Sequence, residues 1–268
     1  MASGEVQHPY HLVNPSPWPL VGTVAAFVLV LGLLFVMRGI TGGAVLLVLG
    51  IGLVAFTMAA WWRDVLKESK GGYHTLPVAK GLRLGMALFI TSEVLFFFAF
   101  FWAFFWAALD PSEAIGSIWP PETIEPIGAW GIPLLNTLIL LLSGVTLTWA
   151  HHAVLENRQD WAFRALLVTV ALGVVFLFFQ IYEYQHATFT LSDTVYGSTF
   201  YMATGFHGFH VFVGAVFLIV CTARAYKLAF TPTKHVGFEA AAWYWHFVDV
   251  VWLFLFVCVY VWGNSVTV

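Results

Sequence analysis

The chain has 268 residues, of which 60% are hydrophobic and 9% are charged, and its mean hydropathy is +0.86. A soluble domain carries about 25% charged residues, so this composition excludes an ordinary soluble domain and predicts several membrane spans of about 20 residues each. The formal net charge is −3 and the chain contains 11 Lys and Arg, which excludes a basic surface for nucleic acid.

The N-terminal segment MASGEVQHPYHLVNPSPWP contains no Lys or Arg, so it lacks the charged region of a signal peptide. We expect it to be retained, with Trp18 as an anchor at the membrane surface. Seven apolar runs follow, each long enough for a helix that crosses a bilayer and too long for a strand of a membrane barrel. They cover residues 18–37, 44–62, 84–109, 131–154, 161–182, 199–223 and 239–263. The predicted fold class is therefore all-α, an integral membrane bundle of seven transmembrane helices.

The basic residues predict the topology. Ten of the 11 Lys and Arg fall around the second, fourth and sixth connections. The positive-inside rule places these connections inside, so the N-terminus is inside and the C-terminus is outside. The second connection contains Gly71 and Gly72. We expect it to divide the chain into residues 1–70, with helices one and two, and residues 71–268, with helices three to seven.

The third connection, residues 110–131, contains acidic residues and no basic ones. Its prolines favour an ordered, extended loop on the surface. Such a loop is either simply solvated or a docking surface for a basic partner.

Glu93 lies inside the longest apolar run, FITSEVLFFFAFFWAFFWAALD, and its nearest charged neighbours along the chain are Arg83 and Asp110. At a rise of about 1.5 Å per residue, it lies roughly 15 Å from the nearer charged end, close to the bilayer centre. Burying an ionised carboxylate costs several kcal/mol, so we expect Glu93 to be protonated or bonded to a polar partner or lipid headgroup. A structural hydrogen bond and a functional site both remain open.

Helices six and seven carry further polar pairs. In GFHGFHV, His207 and His210 are three residues apart and share a helix face, and in WYWHFVDVVW the same spacing joins His246 and Asp249. A histidine beside a carboxylate either supports a metal ligand or satisfies two buried polar groups without a metal. We expect the second, a structural polar network.

Several other functions remain as alternatives or are excluded. His151 and His152 end helix four too near the inside surface to join His207 in a metal site. A membrane cytochrome would use His207 or His210 with His246 as haem ligands. A transporter would use Glu93, His210 and Asp249, but the sequence lacks the inverted repeat that such folds often show. Walker, Cys-x-x-Cys and His-Glu-x-x-His motifs are absent. We therefore expect neither a catalytic residue nor a metal site in this chain.

Charged residues near the inside ends of the helices suggest interfacial pairs. Arg63 with Asp64 and Arg224 with Glu239 are the candidates. Basic residues at this level commonly bind anionic lipid headgroups.

Long motifs also carry a resemblance to a known family. In the family's order they are HLVNPSPWPL, WWRDV, SEVLFF, FFWAFF, TWAHH, VYGSTF, ATGFHGFHV and GFEAAAWYWHFVDVVWLFL. From about residue 8 to the C-terminus, the chain resembles subunit III of the haem-copper cytochrome c oxidases, in its seven-helix form.

The resemblance implies an accessory subunit of a terminal oxidase that moves electrons from cytochrome c to oxygen and pumps protons. It implies subunits I and II as partners that carry the haem and copper, and bound phospholipids as the only cofactor-like molecules of this chain. Helices one and two and helices three to seven would form a V-shaped, lipid-filled cleft. The implied roles are to stabilise subunit I during turnover and to support proton uptake from the inside surface.

Particular residues match the family's motifs. Glu93 matches its membrane carboxylate, which we expect to be a mostly neutral acid that holds the bundle and its lipids rather than relaying a pumped proton. Further matches to positions that contact the lipid cleft or headgroups are Trp62, His74, Arg224 and Lys227. His207, His210, His246 and Asp249 match polar positions to which we assign a structural role.

Histidines near the inside surface are candidates for collecting protons, because histidine titrates near neutral pH. They are His8, His11 and His235, with His74 beside them, and they are otherwise ordinary solvated residues. The Ala-, Val- and Gly-rich spans favour a bacterial plasma membrane, with the mitochondrial inner membrane as the alternative.

Overall fold

The computed structural model describes residues 9–12 and 14–265, without the side chain of Ala114. Within these residues it contains seven long helices, each long and apolar enough to cross a membrane. They are α1 (Trp18–Met37), α2 (Gly43–Lys70), α3 (Leu76–Leu109), α4 (Ile132–Leu155), α5 (Gln159–His186), α6 (Val195–Tyr226) and α7 (Val236–Leu255). The chain is a multi-pass membrane protein, and the predicted all-α bundle of seven spans is confirmed.

Helices α2, α3, α5 and α6 are longer than the apolar runs, whereas α1 has the predicted bounds and α4 differs from them by one residue. Helix α7 begins three residues earlier than predicted and continues beyond Leu255 as a π-helix. Helix α2 continues through Arg63 and Asp64 to Lys70, and α3 begins at Leu76, well before the apolar run at residue 84. Backbone hydrogen bonds continue a helix past the bilayer, whereas hydropathy marks only its apolar part.

The chain divides into two compact units, Met1–Leu82 and Arg83–Val268, and the division falls inside α3. In the first unit, α1 packs along α2. A Cβ atom at Gly43 would lie 2.7 Å from the backbone nitrogen of Val36, and one at Gly32 or Gly50 would meet backbone of the facing helix. Small residues allow this close approach, the usual basis of helix pairing in lipid. The boundary at residues 70/71 and the V-shaped cleft stay predictions.

In the second unit, α4 packs against α5 and α7, and α6 packs against α5 and α7. Trp245 lies fully buried among these four helices. Its ring edge faces Gly173 on α5 and Gly214 on α6, and its indole Nε1 donates a hydrogen bond to Ser143 Oγ on α4 at 2.8 Å. The glycines provide the volume that this large side chain needs.

The third connection is more than a surface loop. It contains a short 3-10 turn, Glu113–Ile115, and the fully buried Trp119. The Trp119 indole Nε1 donates to the Gly263 carbonyl at 3.1 Å, just after α7 has continued as a π-helix over Phe256–Trp262. The expectation of an extended loop on the surface is corrected at this point, because an aromatic side chain ties the connection to the core.

Candidate functional site

The candidate site is built around Glu93, near the middle of α3, and His210, near the middle of α6. Glu93 Oε2 lies 2.8 Å from His210 Nε2. The ring centres of Phe96 and Phe97 lie 5.8 and 4.9 Å from the centre of the His210 imidazole. The sequence separates the two polar residues by 117 positions, and the aromatic run of α3 surrounds their contact with apolar side chains.

The hydrogen bonds of His210 determine how many protons this pair holds. His210 Nδ1 lies 2.6 Å from the Phe206 carbonyl oxygen, which can only accept, so Nδ1 carries a proton. One further proton between Nε2 and Glu93 Oε2 then completes the contact. The pair is either a neutral acid with a neutral imidazole or a carboxylate with an imidazolium, and its net charge is zero in both cases. A zero net charge keeps the desolvation cost of a mid-membrane site low.

A second pair joins residues of α7. His246 Nδ1 lies 3.4 Å from Asp249 Oδ2, and His246 Nε2 lies 3.4 Å from the Thr148 hydroxyl on α4. His207 is separate from both pairs, because its Nε2 donates to the Val248 carbonyl at 3.1 Å. The structure therefore brings Glu93 to His210, a contact that the sequence pattern does not specify, and leaves the other polar residues in separate contacts rather than in one network.

These contacts do not fit His210 as a haem ligand. Both ring nitrogens of His210 are occupied, by the Phe206 carbonyl and by Glu93. His207 is fully buried, and its Nε2 is taken by Val248. A ligand histidine needs a free nitrogen that faces the haem, so the membrane-cytochrome alternative loses His210. His207 retains an unpartnered Nδ1 among the described residues, but its ring packs against the rings of Phe176 and Trp252.

A buried carboxyl group on α5 lies outside the spans that hydropathy predicts. Glu183 is 3% exposed, and its Oε1 accepts from the Tyr260 hydroxyl at 2.6 Å and from Gln180 Nε2 at 3.3 Å. The predicted span ends at residue 182, which leaves Glu183 in a connection. The signal that could have found it is the acid-containing helix end YEYQH, which continues the periodicity of α5.

Charged groups also meet near the ends of α3, α4 and α7. Arg83 binds Glu239 through Nε to Oε2 at 2.6 Å and through Nη2 to Oε1 at 3.0 Å. The expected pair of Arg224 with Glu239 is therefore wrong. The Arg224 guanidinium instead lies 4.7 Å from the centre of the Phe230 ring. Arg83 reaches Glu239 because α3 begins earlier than its apolar run.

His235 lies beside this ion pair and is buried rather than on the surface. It is 6% exposed, and its Nε2 lies 3.1 Å from Glu239 Oε1. His151, His235 and Glu239 each offer a possible ligand atom, and these atoms lie within 4.8 Å of one another. This is the one such group of three among the residues that the structure describes.

Two predicted lipid contacts line grooves. The exposed Trp62 belongs to a groove of about 510 Å³ between α1 and α2, lined also by Gly22 and Met58. Lys227 lies at a groove of about 320 Å³ between α5 and α6, lined by apolar side chains such as Leu167 and Ile219. A groove with a cation at one end has the chemistry that an anionic lipid requires.

The second connection brings other predicted residues together. His11 Nε2 lies 3.1 Å from Glu68 Oε2, and the His11 ring stacks on Tyr73 and lies 6.1 Å from the ring of His74. Burial lowers the pKa of His74 below its ordinary value, and the neighbouring His11 lowers it further. His74 is therefore neutral at neutral pH. His8, the remaining candidate, lies outside the described residues.

The fold and these contacts define a polytopic membrane protein in which polar groups near the middle of two spans, Glu93 on α3 and His210 on α6, meet between helices. The family model for "Cytochrome c oxidase subunit III" matches residues 8–264. Proteins called cytochrome c oxidase subunit 3 from Marchantia polymorpha and Arabidopsis thaliana are 57% and 58% identical over 97% and 96% of this chain, and each alignment covers 98% of the relative. One from Branchiostoma lanceolatum is 54% identical over 98% of the chain and all of the relative. The chain belongs to the cytochrome c oxidase subunit III family.

Proposed function

We propose that this chain, an accessory subunit of a respiratory oxidoreductase, stabilises subunit I during turnover, holds phospholipids and supports proton uptake. Haem and copper belong to subunits I and II, and cytochrome c supplies the electrons. The single observation that carries the stabilising role is the Glu93–His210 contact at 2.8 Å, which ties α3 to α6 near mid-membrane.

The location in the cell is part of the proposal. The composition of the spans favours a bacterial plasma membrane, whereas the relatives from plants and a lancelet favour the mitochondrial inner membrane. In either membrane, the basic second, fourth and sixth connections would face the side from which protons are taken up.

The geometry favours a structural role for Glu93 over a proton relay. A relay needs a continuous path of groups that can pass a proton onward. Among the described residues, the Glu93 carboxyl has one hydrogen-bond partner, His210, and the other nitrogen of that ring ends at a backbone carbonyl. The shared proton is held between two groups, and no further acceptor for it lies within residues 9–12 and 14–265.

The Glu93→Gln substitution should leave proton pumping intact, because the introduced carboxamide can donate to His210 Nε2 as a protonated acid does. Glu93→Leu should destabilise the chain by about 1–3 kcal/mol, because it leaves the buried Nε2 without a partner. Protons pumped per electron in vesicles, thermal stability and lipid content of the purified complex measure these outcomes. A Glu93→Gln complex that loses pumping but retains its stability and lipids would contradict the structural role.

The grooves support lipid binding. Lys227 is exposed at the end of α6, where its cation can meet a headgroup, and the groove beside it presents apolar side chains of α5 and α6 to an acyl chain. Trp62 can serve the same purpose at the groove between α1 and α2, with its amphipathic ring at the membrane surface.

The Lys227→Gln substitution should weaken retention of an anionic phospholipid about fivefold, since one such charge contributes about 1 kcal/mol near a membrane surface. Native mass spectrometry of the complex during stepwise delipidation measures this retention. Lys234→Gln is the matched control, because Lys234 is also exposed but does not line the groove. Equal loss from both variants would show a general effect of charge and reject the site.

Support for proton uptake comes from the second connection. His11, Glu68 and His74 lie together there and near Tyr73. Histidine is the side chain type that ordinarily serves as a proton carrier near neutral pH. Of the candidate histidines, His11 fits this role best, because His235 is buried and the pKa of His74 is lowered.

A further inference from the structure

A cluster of three side chains lies where α4 ends and α7 begins. His151 comes from the last two turns of α4, His235 immediately precedes α7, and Glu239 lies in its first turns, four residues later. The spacing of His235 and Glu239 places both on one helix face. Their ligand atoms and that of His151 lie within 4.8 Å of one another.

The two imidazoles have lone pairs without hydrogen-bond donors. His235 Nδ1 donates to the Thr231 carbonyl at 2.8 Å, so the neutral ring has its lone pair on Nε2. His235 Nε2 and His151 Nε2 are both buried, and neither forms a hydrogen bond in the part of the chain that the structure describes. Leaving such atoms unpaired costs about 1–3 kcal/mol each. A cation between them would satisfy both nitrogens at once.

We propose that His151, His235 and Glu239 form a binding site for an exchangeable divalent ion of the zinc class. Two imidazole nitrogens and one carboxylate oxygen are typical zinc ligands, whereas Ca²⁺ and Mg²⁺ require mainly oxygen. Three protein ligands leave a fourth position for water. The backbone bond from His235 Nδ1 to Thr231 fixes the ring orientation, as a second hydrogen bond does for most metal-bound histidines.

The neighbouring Arg83 explains why the ion is exchangeable. Its guanidinium binds both oxygens of Glu239, at 2.6 and 3.0 Å. Glu239 Oε2 can retain the shorter contact while Oε1, which lies 3.1 Å from His235 Nε2, turns to the ion. The charge of Arg83 reduces the affinity for a second cation. Ligand atoms bound to a tetrahedral zinc ion lie about 3.4 Å apart, so the side chains must close slightly on binding.

This site replaces the expectation that no residue of the chain binds a metal. It does not alter the assignment of haem and copper to partner subunits. The competing explanation is that His235 takes a second proton and forms an ion pair with Glu239, in which case no ion is needed at the site.

The test is zinc binding to the intact oxidase complex, purified in mild detergent and freed of exchangeable metal with a chelator. Equilibrium dialysis with radioactive Zn²⁺ compares the unmodified complex with His151→Ala and His235→Ala. Each variant should lose one zinc site or bind it at least about tenfold more weakly, since even changes around a metal site cost 10–100-fold in affinity. His152→Ala is the matched control, because His152 is adjacent but outside the cluster, and it should bind as the unmodified complex does.

Equal zinc binding in all four complexes would overturn the proposal. Anomalous scattering at the zinc edge, from crystals of the unmodified complex soaked in Zn²⁺, gives a result that does not depend on how the variants fold. A peak between the three side chains supports the site. No peak there at saturating Zn²⁺ overturns it and leaves the His235–Glu239 ion pair as the explanation.

Discussion

The Gly50→Leu substitution should prevent α1 and α2 from packing against each other. A Cβ atom at position 50 would meet the backbone of Leu29 on the facing helix, closer than any van der Waals contact allows. Overpacking usually costs about 1–3 kcal/mol, and the cost here should exceed that range because backbone cannot turn aside as a side chain can.

The pairing of α1 with α2 is especially sensitive to such a substitution because the helices lie in lipid. No hydrophobic effect drives helices together inside a bilayer, so close van der Waals packing through small residues supplies most of the attraction. Separating the backbones by the width of a side chain removes that packing along the whole helix pair. The groove that contains Trp62 should be lost with it, since α1 and α2 form its walls.

A cysteine pair can report on this packing in the full chain. A Cβ atom at Gly22 would lie 3.6 Å from Thr57 Cγ2, so Gly22→Cys with Thr57→Cys places two thiols within reach of a disulfide. We expect oxidation to link them in the unmodified background and not with Gly50→Leu, as measured by peptide mapping. Gly52→Leu is the control, because nothing lies within 4 Å of its Cβ position. Linkage that survives Gly50→Leu would show that the helices pair in another way.

The Gly214→Leu substitution should disrupt packing in the second unit. A Cβ atom at Gly214 would lie 2.9 Å from Trp245 Cε3. On another edge of the same ring, a Cβ atom at Gly173 would lie 2.6 Å from Trp245 Cη2, so the backbone of α5 is close there as well. The indole cannot move away without breaking its bond to Ser143 Oγ. We expect a loss of about 3 kcal/mol, the upper end of the range for overpacking, together with loosening among α4, α5, α6 and α7.

The control for this prediction is Gly208→Leu on the same helix, where nothing lies within 4 Å of the Cβ position. Both substitutions gain about 1 kcal/mol of helix propensity, so a difference between them reports the contact with Trp245 alone. Thermal dissociation of this chain from the purified complex is the measurement. Equal midpoints for the two variants would contradict the packing role of Gly214. In a complementary variant, Trp245→Ala should cost about 3–5 kcal/mol through the cavity that it leaves.

The sequence motifs specify the family, because they extend over nearly the whole chain, and the family model confirms it over residues 8–264. Particular residues show which contacts the sequence does not predict. Hydropathy identifies Glu93 and His210 as polar groups within apolar spans, yet it does not predict their contact. The wrong pairing of Glu239 with Arg224 has the same origin. Arg83 and Arg224 both lie near the predicted inside ends of their helices, and hydropathy does not distinguish between them.

The sequence by itself determined the number of spans, their approximate bounds and the position of Glu93 near the middle of its span. These properties follow from local hydropathy and from the fixed rise of a helix, and neither depends on the neighbours. The tertiary structure alone decided which polar group meets which, and it revealed Glu183 with Tyr260 and the cluster of His151, His235 and Glu239. Such contacts depend on how each helix is rotated about its axis and on how closely its neighbours approach. Glycines such as Gly50 and Gly214 set that approach across segments far apart in the chain.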